Sequence, residues 1–153
     1  MDGASAYLAS AMSFVQERPL MILVVLFYVY RMWQRFQPMK EVEGSKVVSV
    51  KSAEAWRALL KENALVIVDF YATWCPPCKA AAPVFAGMSK EEAYSGVVFA
   101  KVNVDELRDV AREAGISAMP TFKLYSSGKE ANSRQGWSAS VVRTMIDEAI
   151  KKK

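Results

Sequence analysis

Residues 64–89 read ALVIVDFYATWCPPCKAAAPVFAGMS, and this stretch decides the fold. ALVIVDFYA (64–72) is a continuous run of β-branched and aromatic residues, the pattern of a strand buried on both faces. TWCPPCK follows, and after it a helical stretch runs to about Ser89. A Cys-x-x-Cys pair that follows a strand and opens a helix puts its first sulfur at the helix N-terminus. Unpaired amides and the helix dipole there stabilise a thiolate. Cys78 falls one turn along from Cys75, near enough to close a small disulfide ring. Read alone, the pair also suits half a zinc site or two ligands of an iron–sulfur cluster. Zinc needs two further ligands, and the chain has no histidine and no third cysteine. That leaves only a metal centre shared across a dimer.

Outward from this stretch the chain alternates short apolar runs with amphipathic ones. VVSV (47–50) is strand-like. Ser52 is placed to cap a helix whose inner face is Ala53, Trp56, Leu59 and Leu60. VVFAKVNV (97–104) reads as a second buried strand. Asp105 is expected to open a helix with Leu107, Val110, Ala111 and Ala114 inward, closed by Gly115. TFKLY (121–125) and about Ala131–Gln135 flank a turn at Ser126–Lys129 and form a hairpin. Ser138 is placed to cap a last helix, with Val141, Val142, Met145, Ile146, Ala149 and Ile150 as its apolar stripe. The order βαβαβαββα predicts an α/β domain, a central sheet covered by helices on both faces.

Composition narrows the function. Apolar residues make up 52% of the chain and aromatics 11%, which excludes an intrinsically disordered chain. The absence of histidine removes Ser–His and Cys–His nucleophile pairs and His-ligated metals. Two cysteines exclude a disulfide-stapled scaffold and leave no third thiol for a peroxidase. Of the net charge of +4, three units are the tail Lys151-Lys152-Lys153. A charge so placed suits a solvated helix end and does not resemble the basic face of a nucleic-acid binder. No nucleic-acid partner and no cofactor are expected.

Residues 1–36 carry a different signal. Between Arg18 and Arg31 lie twelve uncharged residues, PLMILVVLFYVY. Twelve helical residues span ~18 Å against a hydrocarbon core of ~30 Å. The flanks AYLASAMSFV, Met32, Trp33 and Phe36 supply the missing length, Arg18, Arg31 and Arg35 can snorkel, and Tyr28, Tyr30 and Trp33 suit the interface. The expectation is a single N-terminal transmembrane helix at about 12–34, preferred over a signal peptide, an interfacial helix or a buried helix. The C-terminal flank carries Arg31, Arg35 and Lys40, so the positive-inside rule leaves the remainder cytosolic. A short anchor with a basic C-terminal flank favours the mitochondrial outer membrane over the endoplasmic reticulum. Residues 37–45 (QPMKEVEGS) read as a linker, and 46–153 as the globular domain.

VDFYATWCPPCKAAAPVF resembles the active-site segment of thioredoxins. FAKVNVDE, GISAMPTF, the SSGK turn and the QGWS turn recur in that family's order and spacing, so the resemblance covers about residues 46–150. It implies the thioredoxin fold, a central mixed β-sheet flanked by helices. It also implies a protein disulfide reductase working by dithiol–disulfide exchange, in which Cys75 is the exposed nucleophile and Cys78 resolves the mixed disulfide, leaving a Cys75–Cys78 disulfide. By the same resemblance Asp69 accepts the proton of the resolving thiol and Lys101 is its partner. Trp74 shapes the target groove, Pro120 is a cis-proline, Met119 offers its backbone to an incoming strand, and Gly136 gives that substrate room. Pro83 kinks the active-site helix. The chain departs from the family's Gly-Pro between the cysteines, with Pro76-Pro77 in its place. Tryparedoxins carry WCPPC but are longer. First-turn N–H groups lack helical partners, so Pro-Pro is tolerated; it removes an amide near Cys75 and stiffens the loop.

The partners implied are protein disulfide substrates and an upstream reductase or low-molecular-weight dithiol, with the membrane engaged through residues 12–34. The alternatives are a thiol oxidase or isomerase, should the domain face an oxidising lumen, and a redox-sensitive chaperone or fixed subunit of a membrane complex.

Overall fold

The computed structural model describes residues 19–36, 39 and 42–152. The chain divides into two compact units, Met1–Gln37 and Pro38–Lys153. In the first, helix α1 spans Pro19–Phe36. Its 18 residues reach ~27 Å. Leu20, Leu23, Phe27 and Tyr28 are exposed on it, and Arg31 lies over the Phe27 ring at 6.0 Å. Among the described residues no helix is long and apolar enough to cross a membrane. The first seven residues of the expected span, 12–18, lie outside the described residues, as do positions 37, 38, 40 and 41 of the expected linker.

The second unit contains β1 (Val48–Ser49), α2 (Ala53–Glu62), β2 (Leu65–Tyr71), α3 (Pro76–Met88), a 3₁₀ turn at Glu92–Tyr94, β3 (Val98–Asn103), α4 (Arg108–Glu113), β4 (Thr121–Ser126), β5 (Lys129–Gln135) and α5 (Ala139–Lys151). The five strands form one mixed sheet in the order β1-β3-β2-β4-β5. β1 and β2 both run parallel to β3, β4 is antiparallel to β2, and β5 is antiparallel to β4. β2 sits at the centre, and every one of its residues is buried. That placement is why its apolar run is unbroken: both faces and both edges are covered.

Two cores follow from the alternation of side chains along the strands. Leu65, Ile67, Phe99, Phe122 and Leu124 pack against Ala81, Phe85 and Met88 of α3 and Val142, Met145 and Ile146 of α5. Phe85 anchors this layer, with its ring 5.1 Å from Phe99 and 5.5 Å from Phe122. On the other face, Val66, Val68, Phe70, Ala100, Val102 and Tyr125 pack against Trp56 of α2 and Val110 of α4. Each large buried side chain contributes ~2–3 kcal/mol of hydrophobic stabilisation. Asp69 and Lys101 share the strand parity of Ile67 and Phe99 and so belong to the α3 face.

Most of the expected elements stand, with differences that have local causes. Ser52 caps α2, its hydroxyl accepting from the Ala55 N–H at 3.1 Å. Ser127 and Gly128 form a two-residue hairpin loop with φ of 48° and 78°. Such a loop suits the strand twist, and β5 therefore pairs from Lys129, two residues before Ala131. Asp105 does not open α4, which begins at Arg108 with Leu107 at the N-cap position. Asp105 is held in the preceding turn, where its N–H donates to Asn103 Oδ1 at 3.1 Å and the Leu107 N–H donates to the Asn103 carbonyl at 2.9 Å. Ser138 occupies the N-cap position of α5 without a capping bond, and its hydroxyl pairs with that of Ser140 at 3.0 Å. The stripe of α5 is narrower than expected, since Val141 and Ile150 are exposed.

Candidate active site

The site lies where β2 leaves the sheet and α3 begins. Cys75 is the N-cap residue of α3, and Pro76 and Pro77 are its first two helical residues. Proline fits there because its fixed φ suits the first turn and its missing N–H has no helical partner to lose. Cys75 and Cys78 are joined as a disulfide, their Cα atoms 5.3 Å apart. The Cys78 N–H donates to Cys75 Sγ at 3.3 Å. The amide that meets the first sulfur is thus the third of the helix, and the one removed at Pro76 is not the capping donor. Pro83 lies inside α3 as expected, one hydrogen bond short of a full helical ladder.

The two cysteines differ little in exposure in this oxidised state: Cys75 retains 3% of its surface and Cys78 none. The exposure expected of Cys75 is therefore slight. Both cysteines belong to a small apolar cluster with Tyr71 and Ala72, against which Met39, Val104 and Met119 pack. Pro76 and Pro77 are exposed beside them, and so is Trp74. The Trp74 indole N–H donates to Asp105 Oδ2 at 2.9 Å, which fixes the ring beside the cysteines. The Met119–Pro120 peptide bond is cis. The Gly136 N–H donates to the Pro120 carbonyl at 2.8 Å, so these two segments are brought together. Gly136 has φ +82°, and a Cβ built on it would meet nothing within 4 Å. Its left-handed backbone conformation suits a glycine, while the space beside it is open.

Beneath α3, Asp69 is paired in register with Lys101 across β2 and β3 and with Phe122 across β2 and β4. It is 2% exposed, and its Oδ1 has no hydrogen-bond partner among the described residues. Burial pushes its carboxyl up to about 7, against the opposing pull of the Lys101 charge. A carboxyl poised near neutrality can take or give a proton at the pH of most compartments. The candidate residues Asp69, Lys101, Cys75 and Cys78 thus fall on β2, β3 and the start of α3. Trp74, Met119, Pro120 and Gly136 come from three loops around the cysteines.

The family model for thioredoxin matches residues 46–148. This chain belongs to the thioredoxin family. It is 42% identical to an H-type thioredoxin of Chlamydomonas reinhardtii, over 67% of this chain and 94% of that one. To a thioredoxin of Ictalurus punctatus it is 39% identical, over 67% and 97%. Among solved structures, the thioredoxin NaTrxh of Nicotiana alata superposes with a TM-score of 0.66 at 40% identity, covering 71% of this chain and 96% of that one. The thioredoxin of Plasmodium falciparum superposes at 0.64 with 39% identity, covering 67% and 98%. The chain is accordingly a thioredoxin-family disulfide oxidoreductase of the reductase kind, acting on protein disulfides.

Two residues of the site escaped the reading of the sequence. Asp105 carries the Trp74 contact across 31 positions, and its short polar side chain gave only a helix-cap signal. Met39 lies in the stretch read as a linker, and only its apolar side chain among polar neighbours hinted that it is packed.

Proposed function

We propose that the chain is a membrane-tethered protein disulfide reductase that works as a dithiol carrier through Cys75 and Cys78. In its reduced form the Cys75 thiolate attacks a substrate disulfide. A Cys75–substrate S–S bond forms, the substrate's own S–S bond breaks, and the departing sulfur leaves with the electron pair and takes a proton. Cys78 then gives its proton to Asp69 and attacks Cys75 Sγ, which releases the second substrate thiol and closes the Cys75–Cys78 disulfide. Two electrons pass to the substrate. An upstream reductase or a low-molecular-weight dithiol restores the dithiol. Lys101 moderates the charge on Asp69, while Trp74, Pro76, Pro77, Met119, Pro120 and Gly136 receive the substrate strand, much as a sheet edge receives a peptide.

The observation that carries this reading is the disulfide at the N-terminus of α3, set above a buried carboxyl whose Oδ1 has no hydrogen-bond partner among the described residues. It is tested by trapping. Cys75→Ser abolishes reduction of insulin disulfides, and Cys78→Ser leaves a stable mixed disulfide with targets. Trapping through Cys75→Ser instead would reverse the two assignments.

Tethering through residues 12–34 rests on the apolar run between Arg18 and Arg31 and on the exposed Leu20, Leu23, Phe27 and Trp33 of α1. The basic flank puts the catalytic domain in the cytosol, with the mitochondrial outer membrane favoured over the endoplasmic reticulum. The full chain then stays in the pellet after carbonate extraction, and protease added to intact organelles removes the catalytic domain. Release by carbonate would reduce residues 1–36 to an interfacial helix, and a protected domain would invert the topology and favour the oxidase role.

A further inference from the structure

The described residues before β1, Met39 and 42–47, are docked on the domain, and their docking bears on the chemistry. The Lys46 N–H donates to Ser89 Oγ at 3.1 Å, the Lys90 ammonium donates to the Glu43 carbonyl at 2.6 Å, and the Ser45 N–H donates to the Val42 carbonyl at 3.0 Å. The first two bonds hold the backbone against the C-terminal end of α3, and the third is a turn within the segment. Met39 packs on the cluster that contains Cys75 and Cys78. Met39, Val42 and Ser45 also wall a cavity of about 30 Å³ whose other lining includes Asp69, Lys101 and Ala82. The lining is chiefly apolar, with Ser45, Asp69 and Lys101 as its polar members, and a cavity of that size has room for on the order of one water molecule. It opens beside the one carboxyl whose Oδ1 is buried and unpartnered among the described residues.

We infer that Met39 and Val42 are positioning residues of the redox site: they close the cavity beside Asp69 and so limit how much water reaches the carboxyl that receives the Cys78 proton. This rests on the proposed role of Asp69 as proton acceptor. In that step the proton passes from Cys78 Sγ to Asp69, directly or through one water in the cavity, and the Cys78 thiolate attacks Cys75 Sγ. The substrate thiolate released takes up a proton, so none is gained or lost overall.

A carboxyl kept dry holds its proton to higher pH; one reached by bulk water returns toward the ordinary carboxylate range. That is consistent with an Asp69 pushed up to about 7, chiefly by burial. Around Asp69 the titratable and charged groups are Tyr71 on its own strand, Lys101 on β3, and Cys78 and Lys79 on α3, while Lys123 and Tyr125 of β4 lie on the opposite face of the sheet. β4 places Phe122 beside it. Of the described covering residues, Met39, Val42 and Ser45 do not titrate, and Glu43 is exposed. Lengthening or trimming the apolar cover therefore changes hydration without adding a charge.

The test uses the full chain in detergent micelles, reduced and mixed in a stopped-flow instrument with an aromatic disulfide whose thiolate absorbs visible light. The slower release reports attack by Cys78, and its rate is followed from about pH 5 to about pH 9. In the wild type the rate rises through a midpoint near that of Asp69. Met39→Ala and Val42→Ala each lower the midpoint, the first by about one pH unit, while Met39→Leu restores it. Asp69→Asn abolishes the step. A thermal melt of each variant shows whether it is folded, and a lowered melting temperature alone does not move a pH midpoint. If Asp69→Asn abolishes the step but neither alanine variant moves it, the covering role is wrong and the proton-acceptor role stands. If Asp69→Asn keeps the step, the proton-acceptor role fails and the covering role fails with it.

Discussion

Asp69 on β2 and Lys123 on β4 lie on strands that pair with each other, and their register partners are adjacent: Val68 opposite Lys123, Asp69 opposite Phe122. Both side chains are charged residue types inside the sheet, 2% and 7% exposed. They sit on opposite faces, Asp69 toward α3 and Lys123 toward α2 and α4. Lys123 donates to Glu130 Oε2 at 2.7 Å, a cross-strand partner on the neighbouring β5. Asp69 keeps a buried oxygen with no hydrogen-bond partner among the described residues. Structure alone accounts for the first. It does not account for the second, because an unpartnered buried polar atom costs ~1–3 kcal/mol. The proton-acceptor role proposed for Asp69 would account for it.

The largest way to break this contrast is Asp69→Asn. Below the ordinary carboxyl value of 3.8 both folded and unfolded chains are protonated at this site. Between 3.8 and about 7 the folded chain holds the proton and the unfolded chain loses it. Stability therefore falls as pH rises across that window and levels off above about 7. At ~1.4 kcal/mol per pH unit, urea unfolding of the wild type loses ~3 kcal/mol between about pH 5 and about pH 8 from this group. Asp69→Asn removes that loss and is the more stable protein at the alkaline end. The same substitution abolishes the pH-dependent resolution of the mixed disulfide, a loss of ~100-fold or more at neutral pH, the scale of one proton-transfer catalyst. An unchanged slope in the variant would mean that Asp69 titrates normally and that the contrast with Lys123 is empty.

The contrast also marks what could be read in advance. β2 was legible because burial on both faces makes its composition uniform, and Asp69 stood out as the one charge in that run. Lys123 sits in TFKLY in the same way, but nothing in that pattern tells which residue pairs with it. Its partner Glu130 is seven residues on, across a hairpin whose register a sequence pattern leaves open. Ser52 was legible because a cap acts within one turn. Asp105 was misread for the same reason: local chemistry suggested a cap, whereas the Trp74 indole, 31 residues away, claims its carboxylate. The 3₁₀ turn at Glu92–Tyr94 is too short to show a period. Met39 and Val42 were hidden by polar neighbours that suggested a linker. What stayed illegible is what depends on contacts between distant segments.

A smaller effect sharpens the other side of the comparison. Glu130→Ala leaves the Lys123 ammonium, whose side chain is 9% exposed, without its carboxylate. Because Glu130 is 44% exposed, solvent already screens the pair, and the expected loss is ~1–2 kcal/mol, below that of a fully buried pair. Lys123→Met, which leaves Glu130 at the surface, costs less than ~1 kcal/mol. Neither variant changes the rate of disulfide reduction. Equilibrium unfolding and the insulin assay check both statements, and a loss of activity in either would give the Lys123 pair a share in the chemistry.

The smallest expected effect lies at Pro76, where the chain departs from its family. An N-cap sulfur takes its hydrogen bonds from the second and third helical amides. Here Pro77 removes the second, and the third, from Cys78, is the bond observed at 3.3 Å. Pro76 occupies the first position, so Pro76→Gly restores an amide outside the capping pair. Any gain to the Cys75 thiolate stays below one charged hydrogen bond, ~1.5 kcal/mol. Glycine also loosens the open dithiol, which disfavours ring closure by ~0.4–1 kcal/mol. Both changes favour the dithiol and raise the reduction potential. Since ~1.4 kcal/mol corresponds to ~30 mV for a two-electron couple, the rise is no more than a few tens of millivolts, and the wild type remains a reductant. Equilibration against glutathione measures it directly. A fall in potential would reverse the assigned sign, and a rise of ~80 mV would mean that the Pro-Pro unit controls the couple through the shape of the loop instead of through one amide.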